Sequence, residues 1–256
     1  MTRRGDSLTQ DTQERPVVGA WDKHSRLAID APGGYTSWTV WLVGKALPVA
    51  LFTALLATNG MTLPQELMRV VREGIRLYPL LELLRHSLLL GFLLLIVAAY
   101  LTRTHAVDHA RGFWERGFPM LVLLASFVGM WLLGRAEMLH RLELVAVGLI
   151  LTLLGFYFSL WALWHLRGSF AIMAEVRSPV SSGPYRYVRH PLYLGESLSM
   201  LGLCLAMGTA RALLFWAVLT GMQLTRARIE EGKLARQFDD YRVYRQRTRF
   251  VLPGLL

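Results

Sequence analysis

Residues 142–164 read LELVAVGLILTLLGFYFSLWALW, and this stretch decides the fold class. It carries one acidic residue, Glu143, near its start and no basic residue. A helix needs roughly 20 mostly apolar residues to cross a bilayer, and this run supplies them. Trp161 and Trp164 sit at its end, where amphipathic rings favour the head-group layer.

Similar runs flank it on both sides. A first span is expected at about residues 38–58, with Lys45 and Pro48 predicting a kink and Lys45 snorkelling towards the interface. A second runs from about Leu83 to Leu101 and a third from about Phe118 to Leu133. Residues 61–83 interleave Arg69, Arg72 and Arg76 with Leu67, Val70, Val71, Ile75 and Leu77, which predicts an amphipathic helix lying on the membrane surface. Two shorter apolar runs, Leu192–Met207 and Ala212–Leu224, are joined by Gly208-Thr209-Ala210-Arg211 and read as a helical hairpin. A charged helical segment, Arg226–Arg247, closes the pattern. The expected fold is an all-α polytopic transmembrane bundle of five to six spans. Three regions follow: a polar tail (1–37), N-terminal membrane helices (38–141) and a C-terminal region (142–256).

Composition agrees. Hydrophobic residues make up 54% of the 256-residue chain, mean hydropathy is +0.36, and the 18% of charged residues cluster between apolar blocks. The net charge of +10 would suit nucleic acid, but the Lys and Arg residues lie in loops and tails beside apolar segments. With six spans and a cytoplasmic N-terminus, most of them fall on the cytoplasmic side, the sense that the positive-inside rule requires. The 166–191 loop and the C-terminal segment then share the cytoplasmic face. An integral protein of a bacterial inner membrane, with both termini cytoplasmic and no nucleic-acid partner, is the expectation. Residues 1–37 hold Pro16, Pro32 and Gly33-Gly34 and predict a flexible tail rather than a cleavable leader. The single cysteine, Cys204, lies in an apolar run, so neither an intrachain disulfide nor a cysteine-rich metal site is expected.

Two segments carry chemistry. The first is Ser182-Gly183-Pro184-Tyr185-Arg186-Tyr187-Val188-Arg189-His190-Pro191-Leu192-Tyr193-Leu194-Gly195-Glu196, in which Pro191 suits the first turn of a helix. The second is Arg226-Ala227-Arg228-Ile229-Glu230-Glu231 followed by Leu234, Phe238, Tyr241 and Tyr244. On one helix, Glu231, Leu234, Phe238, Tyr241 and Arg245 would share a face. A glutamate pair at the edge of a bilayer is costly to bury unless it is paired.

Together these segments resemble the isoprenylcysteine carboxyl methyltransferases and their relatives, the phospholipid N-methyltransferases. The matching residues are Gly183-Pro184-Tyr185, Arg189-His190-Pro191-Leu192-Tyr193, Glu230-Glu231-Gly232-Lys233-Leu234, Phe238, Tyr241 and Pro253, with Gly168-Ser169-Phe170 upstream. The resemblance covers about residues 165–253 and implies S-adenosylmethionine held on the cytoplasmic face. It implies a pocket lined by Tyr185, His190, Pro191, Leu192 and Tyr193, with Arg177, Ser178, Pro179 and Val180 running past it as backbone. Glu231 would bind the cofactor's amino group or a hydroxyl. Glu230, His190 and Arg228 are the candidate catalytic residues, no metal is implied, and the acceptor would be a lipophilic molecule entering from the bilayer. Two departures stand out: the family's glycine after Phe238 is Asp239, and the arginine before the glutamates falls at Ala227, between Arg226 and Arg228.

Three other readings compete. Membrane sterol reductases carry a similar Arg-His-Pro-x-Tyr-x-Gly-Glu run, which Leu194-Gly195-Glu196 completes, and would use NADPH. Haem binding would draw on His86, His105, His109, His140 and His165 near span ends. A non-enzymatic membrane scaffold leaves both motif blocks unexplained.

Overall fold

The computed structural model describes residues 42–74, 76–102, 110, 112–133, 142–172, 175 and 179–251. The 1–37 tail, Arg177, Ser178, His105, His109, His140 and Pro253 lie outside them. Among the described residues the chain is helical without a strand. The helices are α1 (Leu47–Gly60), α2 (Leu63–Glu73), α3 (Leu77–Leu101), α4 (Phe118–Leu133), α5 (Leu142–Leu166), α6 (Pro191–Met207), α7 (Ala210–Gln237) and α8 (Asp239–Arg247). Four stretches of the described residues are long and apolar enough to cross a membrane: Gly44–Arg72, Pro79–Leu101, Phe113–Met130 and Leu144–Ser169. The shorter apolar helix α6 joins them.

The expected kink in the first span is a wide π-helical turn, Leu42–Ala46, immediately before Pro48 at the start of α1. The expectation of a single amphipathic helix over 61–83 needs correction. Gly74, at φ 77°, ends α2, and α3 begins at Leu77. A glycine in this positive-φ region is a common way to stop a helix. The chain then turns back on itself. The His86 ring nitrogen Nε2 lies 3.0 Å from the Asn59 carbonyl and 3.3 Å from Thr62 Oγ1, and Phe52 of α1 packs with Leu93 and Ile96 of α3. Leu67, Met68 and Val71 of α2 are exposed.

The tightest packing lies between α5 and α6. Gly148 and Gly155 on α5 meet Gly202 and Gly195 on α6, backbone against backbone. The two glycines of each helix are seven residues apart, so they share a face, and the antiparallel pairs 148/202 and 155/195 come into register. Thr152 Oγ1, wholly buried in this seam, donates to Gly148 O (2.9 Å) and approaches Ser199 O (3.3 Å).

The expected hairpin is present. Gly208 closes α6 in the left-handed conformation (φ 63°), and Thr209 caps α7 by accepting from Ala212 N at 3.2 Å. α7, however, is one helix from Ala210 to Gln237, so the apolar run and the glutamate pair share a rod about 42 Å long. The expected closing helix 226–247 is instead broken at Phe238 (φ −134°, ψ 112°), after which α8 begins. Asp239 and Asp240 occupy the first turn of α8, where carboxylates face the positive end of the helix dipole. Asp239 therefore starts a helix where the family's glycine stands, and it adopts no left-handed conformation.

Two apolar clusters hold the bundle. One joins α1, α3, α5, Phe170, Ile172, Tyr185 and Leu192; the other joins Phe118 and Val122 of α4 to Leu219 of α7. In Gly155→Ala and Gly202→Ala the new methyl meets backbone atoms of the facing helix. Each should cost roughly 1–3 kcal/mol and lower the thermal unfolding temperature in detergent. Gly232→Ala, on the exposed face of α7 with no atom within 4 Å of the new methyl, should leave that temperature unchanged or raise it.

Candidate active site

The Arg-His-Pro block is shaped before it reaches the bundle. Gly183, at φ 59°, opens a 3₁₀ turn, Gly183–Arg186, and the His165 ring packs where a side chain at 183 would project. The turn buries Pro184 and Tyr185. Val188 then pairs in parallel with Arg249, beyond α8: Arg189 N donates to Arg249 O (2.8 Å), His190 N to Phe250 O (3.2 Å) and Arg249 N to Tyr187 O (3.3 Å). Pro191 starts α6 immediately afterwards, at a position where its missing N–H leaves no helical bond unmade.

Two layers of charge meet there. In the first, Arg189 Nε donates to Glu231 Oε1 at 2.5 Å, and both side chains are over nine-tenths buried. The same guanidinium donates through Nη1 to Arg245 O (2.8 Å) and to Thr248 O. Arg245 Nε lies 3.5 Å from Glu231 Oε2. His190 Nε2 is 3.3 Å from Glu231 Oε1 but off the hydrogen-bonding direction, so it is a close neighbour rather than a donor. Its ring stacks on Tyr193 (5.6 Å between centroids, 8° between planes) and meets the edge of Phe250 at 5.2 Å. Burial alone would raise the Glu231 carboxyl, but His190 and Arg189 outweigh it and hold the group below the ordinary carboxylate range.

Glu230 centres the second layer. Its Oε1 accepts from Tyr193 Oη (2.7 Å) and from Arg226 Nε (3.0 Å). Arg226 lies 5.1 Å over the Tyr193 ring and donates through Nη2 to Ala171 O (3.1 Å). Tyr100 Oη, from α3, accepts from Ile172 N (3.1 Å). The 170–172 segment is thus pinned from two helices.

These elements line a cavity that is partly open to the surface. Tyr185, His190, Leu192, Tyr193, Pro179, Val180 and Glu230 line it. Pro191 is buried beside it at the helix start, and Glu231, held by Arg189, is not among the lining residues. Arg228 is exposed, its guanidinium 5.9 Å over the Phe250 ring. Phe170, Lys233 and Tyr244, which stand in the motif blocks but carry no site role in the sequence reading, and Glu175, which that reading does not single out, are also in the wall. Lys233 is 3% exposed, and its Nζ donates to Glu115 Oε2 at 2.8 Å, tying α7 to the turn before α4. Its place one turn after Glu230 was the available signal. Tyr244 Oη donates to Tyr185 O (2.5 Å); burial raises the pKa values of both phenols, which stay protonated at neutral pH.

The Arg189–Glu231 pair has a measurable signature. Arg189→Ala leaves a carboxylate buried without its main partner and should cost roughly 3–5 kcal/mol, read as a fall in thermal unfolding temperature. The pH dependence has a definite sign. The folded pKa of Glu231 lies below the unfolded one, so its stabilisation is present above the ordinary carboxylate range and lost as pH falls through the lowered value. Unfolding scans through that acid window should show a smaller loss for Glu231→Gln than for the wild type.

Comparison with known proteins places this region. Residues 144–241 match the family model described as phospholipid methyltransferase. No curated protein matches the chain. The matched stretch begins within α5, takes in the Arg-His-Pro block, the hairpin and both glutamates, and ends at Tyr241, and nothing in the comparison supports a reductase. Among the described residues the chain thus has four stretches long and apolar enough to cross a membrane, and its residues 144–241 match the phospholipid methyltransferase family model, consistent with the isoprenylcysteine and phospholipid methyltransferase family that its motifs resemble.

Proposed function

We propose that the protein transfers a methyl group from S-adenosylmethionine to a lipophilic acceptor at the cavity between the Arg-His-Pro block and α7. The observation that carries this reading is the composition of the cavity wall. Phe170, Tyr185, Tyr193, Tyr241 and Tyr244 supply aromatic surface, and Glu175 and Glu230 supply carboxylates. Aromatic faces attract a sulfonium, and a carboxylate at a partly desolvated site favours a cationic ligand. When bound, S-adenosylmethionine supplies an electrophilic methyl on a positively charged sulfur.

The chain's own residues then align and shield. Tyr193, held by Glu230 and stacked on His190, fixes one wall; Leu192, Pro179 and Val180 supply apolar surface beside it. Arg177 and Ser178 belong to the same approach in this reading. Glu231 acts through Arg189, setting the position of His190. Glu230 and His190 are the groups placed to accept a proton from an acceptor that must lose one. Arg228, exposed beside Phe250, would meet the acceptor's polar end. The catalytic region is 142–256, and the Lys and Arg distribution favours cytoplasmic termini in a bacterial inner membrane.

Calorimetry on the detergent-purified protein tests the cofactor. S-adenosylmethionine should bind and NADPH should not. Glu230→Ala and His190→Ala should each weaken binding about tenfold or more, the scale of one lost charge-assisted contact. Absence of S-adenosylmethionine binding, or binding of NADPH in its place, would overturn the methyltransferase reading.

A further inference from the structure

The side chains of Arg189, Arg226 and Lys233 are at most 10% exposed, and each pairs with a carboxylate at the cavity. Arg189 pairs with Glu231 at 2.5 Å and Arg226 with Glu230 at 3.0 Å. Lys233 pairs with Glu115 at 2.8 Å. The first two carboxylates belong to α7 itself. The third lies 118 positions before Lys233, outside the stretch that matches the family model. Lys233 lines the cavity, whereas Glu115 stands behind it and is not among the lining residues.

The turn that carries Glu115 has an outer and an inner side. Gly112, at φ 63°, precedes a π-helical turn, Phe113–Gly117, directly before α4. Arg116 Nη2 donates to Ala110 O at 2.9 Å, which ties the turn to the buried Ala110. Phe113 and Trp114 are exposed, as aromatic rings often are where a helix meets the head-group layer. Glu115 turns the other way: its side chain is 18% exposed and reaches α7.

The charge of the ligand gives this pair a role beyond holding two helices together. S-adenosylmethionine carries a positive sulfonium. Once the methyl has left, the sulfur of S-adenosylhomocysteine is a neutral thioether. An ammonium in the wall that has lost a counter-charge repels the first ligand far more than the second.

We infer that Glu115 is a positioning residue that acts through Lys233: it fixes and neutralises the ammonium, so that the wall favours S-adenosylmethionine over S-adenosylhomocysteine. This role rests on the methyltransferase reading of the cavity. It gives the N-terminal membrane region, through the turn before α4, a part in the chemistry of a site otherwise made by the C-terminal region.

The test is the ratio of two dissociation constants, S-adenosylhomocysteine over S-adenosylmethionine. Both are measured by calorimetry on the full chain in detergent, at about pH 6.5, where an amine favours its charged form. Glu115→Gln keeps the shape, removes the charge and should lower the ratio about tenfold. Lys233→Met leaves the Glu115 charge and should raise the ratio. The double variant Glu115→Gln/Lys233→Met should return it close to the wild-type value, and Glu115→Asp should retain most of it. A purely structural bond would weaken both ligands alike. An unmoved ratio in Glu115→Gln, or a ratio that moves in the same direction in Glu115→Gln and Lys233→Met, would overturn the inference. Should Glu115→Gln fail to fold, Lys233→Met decides, and a ratio that does not rise there overturns it. The wild type separates the two claims. Binding of neither ligand would sink the methyltransferase reading and the role of Glu115 with it, whereas normal binding with an unmoved ratio in the variants would sink only the role of Glu115.

Discussion

A single guanidinium organises the end of the bundle. Arg189 must satisfy the buried Glu231 carboxylate on α7 and, at the same time, two main-chain carbonyls, of Arg245 in α8 and of Thr248 just after it. Three segments distant in sequence meet at its fork. The planar, multiply donating shape of arginine suits this junction, and a lysine ammonium would reach one partner in the same geometry only by releasing another. The position of His190, its stacking on Tyr193 and the pairing of residues 187–190 with 249–250 all follow from that junction.

The junction can exist only where protein covers it. Along α7 the environment changes from apolar contacts around Phe215, Leu219 and Met222 to buried charge at Arg226, Glu231 and Lys233. Each of these charges has a partner from another element or one turn away: Ala171, Glu230, Arg189 and Glu115. The low dielectric that makes an unpaired charge costly strengthens each pairing. The α5–α6 seam supplies the rigid base. With glycine backbones in contact, the two helices have no side-chain layer that could slide, so the Arg-His-Pro block starts from a fixed point.

Much of this was legible in the sequence, because apolar runs of bilayer length and proline- or glycine-marked turns are local signals. The spans at 83–101, 118–133 and 142–164 and the hairpin around Gly208 correspond closely to α3, α4, α5 and the α6–α7 pair. The reversal at Gly74 was missed because the arginine spacing on both sides of it continues one amphipathic pattern, although the glycine itself was the stop signal. The continuity of α7 was hidden by the abrupt change from apolar to charged composition, which does not interrupt helical hydrogen bonding. The division of labour between Glu230 and Glu231 could not be read at all. Adjacent residues on a helix point about 100° apart, and which of them faces the cavity depends on the partners Tyr193, Arg226 and Arg189, fixed only by tertiary structure.

The pairing of Val188 with Arg249 bears on the order in which the chain matures during synthesis. The helices that contain the seam and the hairpin emerge from the ribosome first and can insert as they appear. Residues 245–250, which close the junction around Arg189, emerge after every one of those helices. Until they arrive, Glu231 has Arg189 without the carbonyls that fix it, and His190 lacks its contact with Phe250. The cavity is therefore completed by the last-made segment, after the helices that form its base.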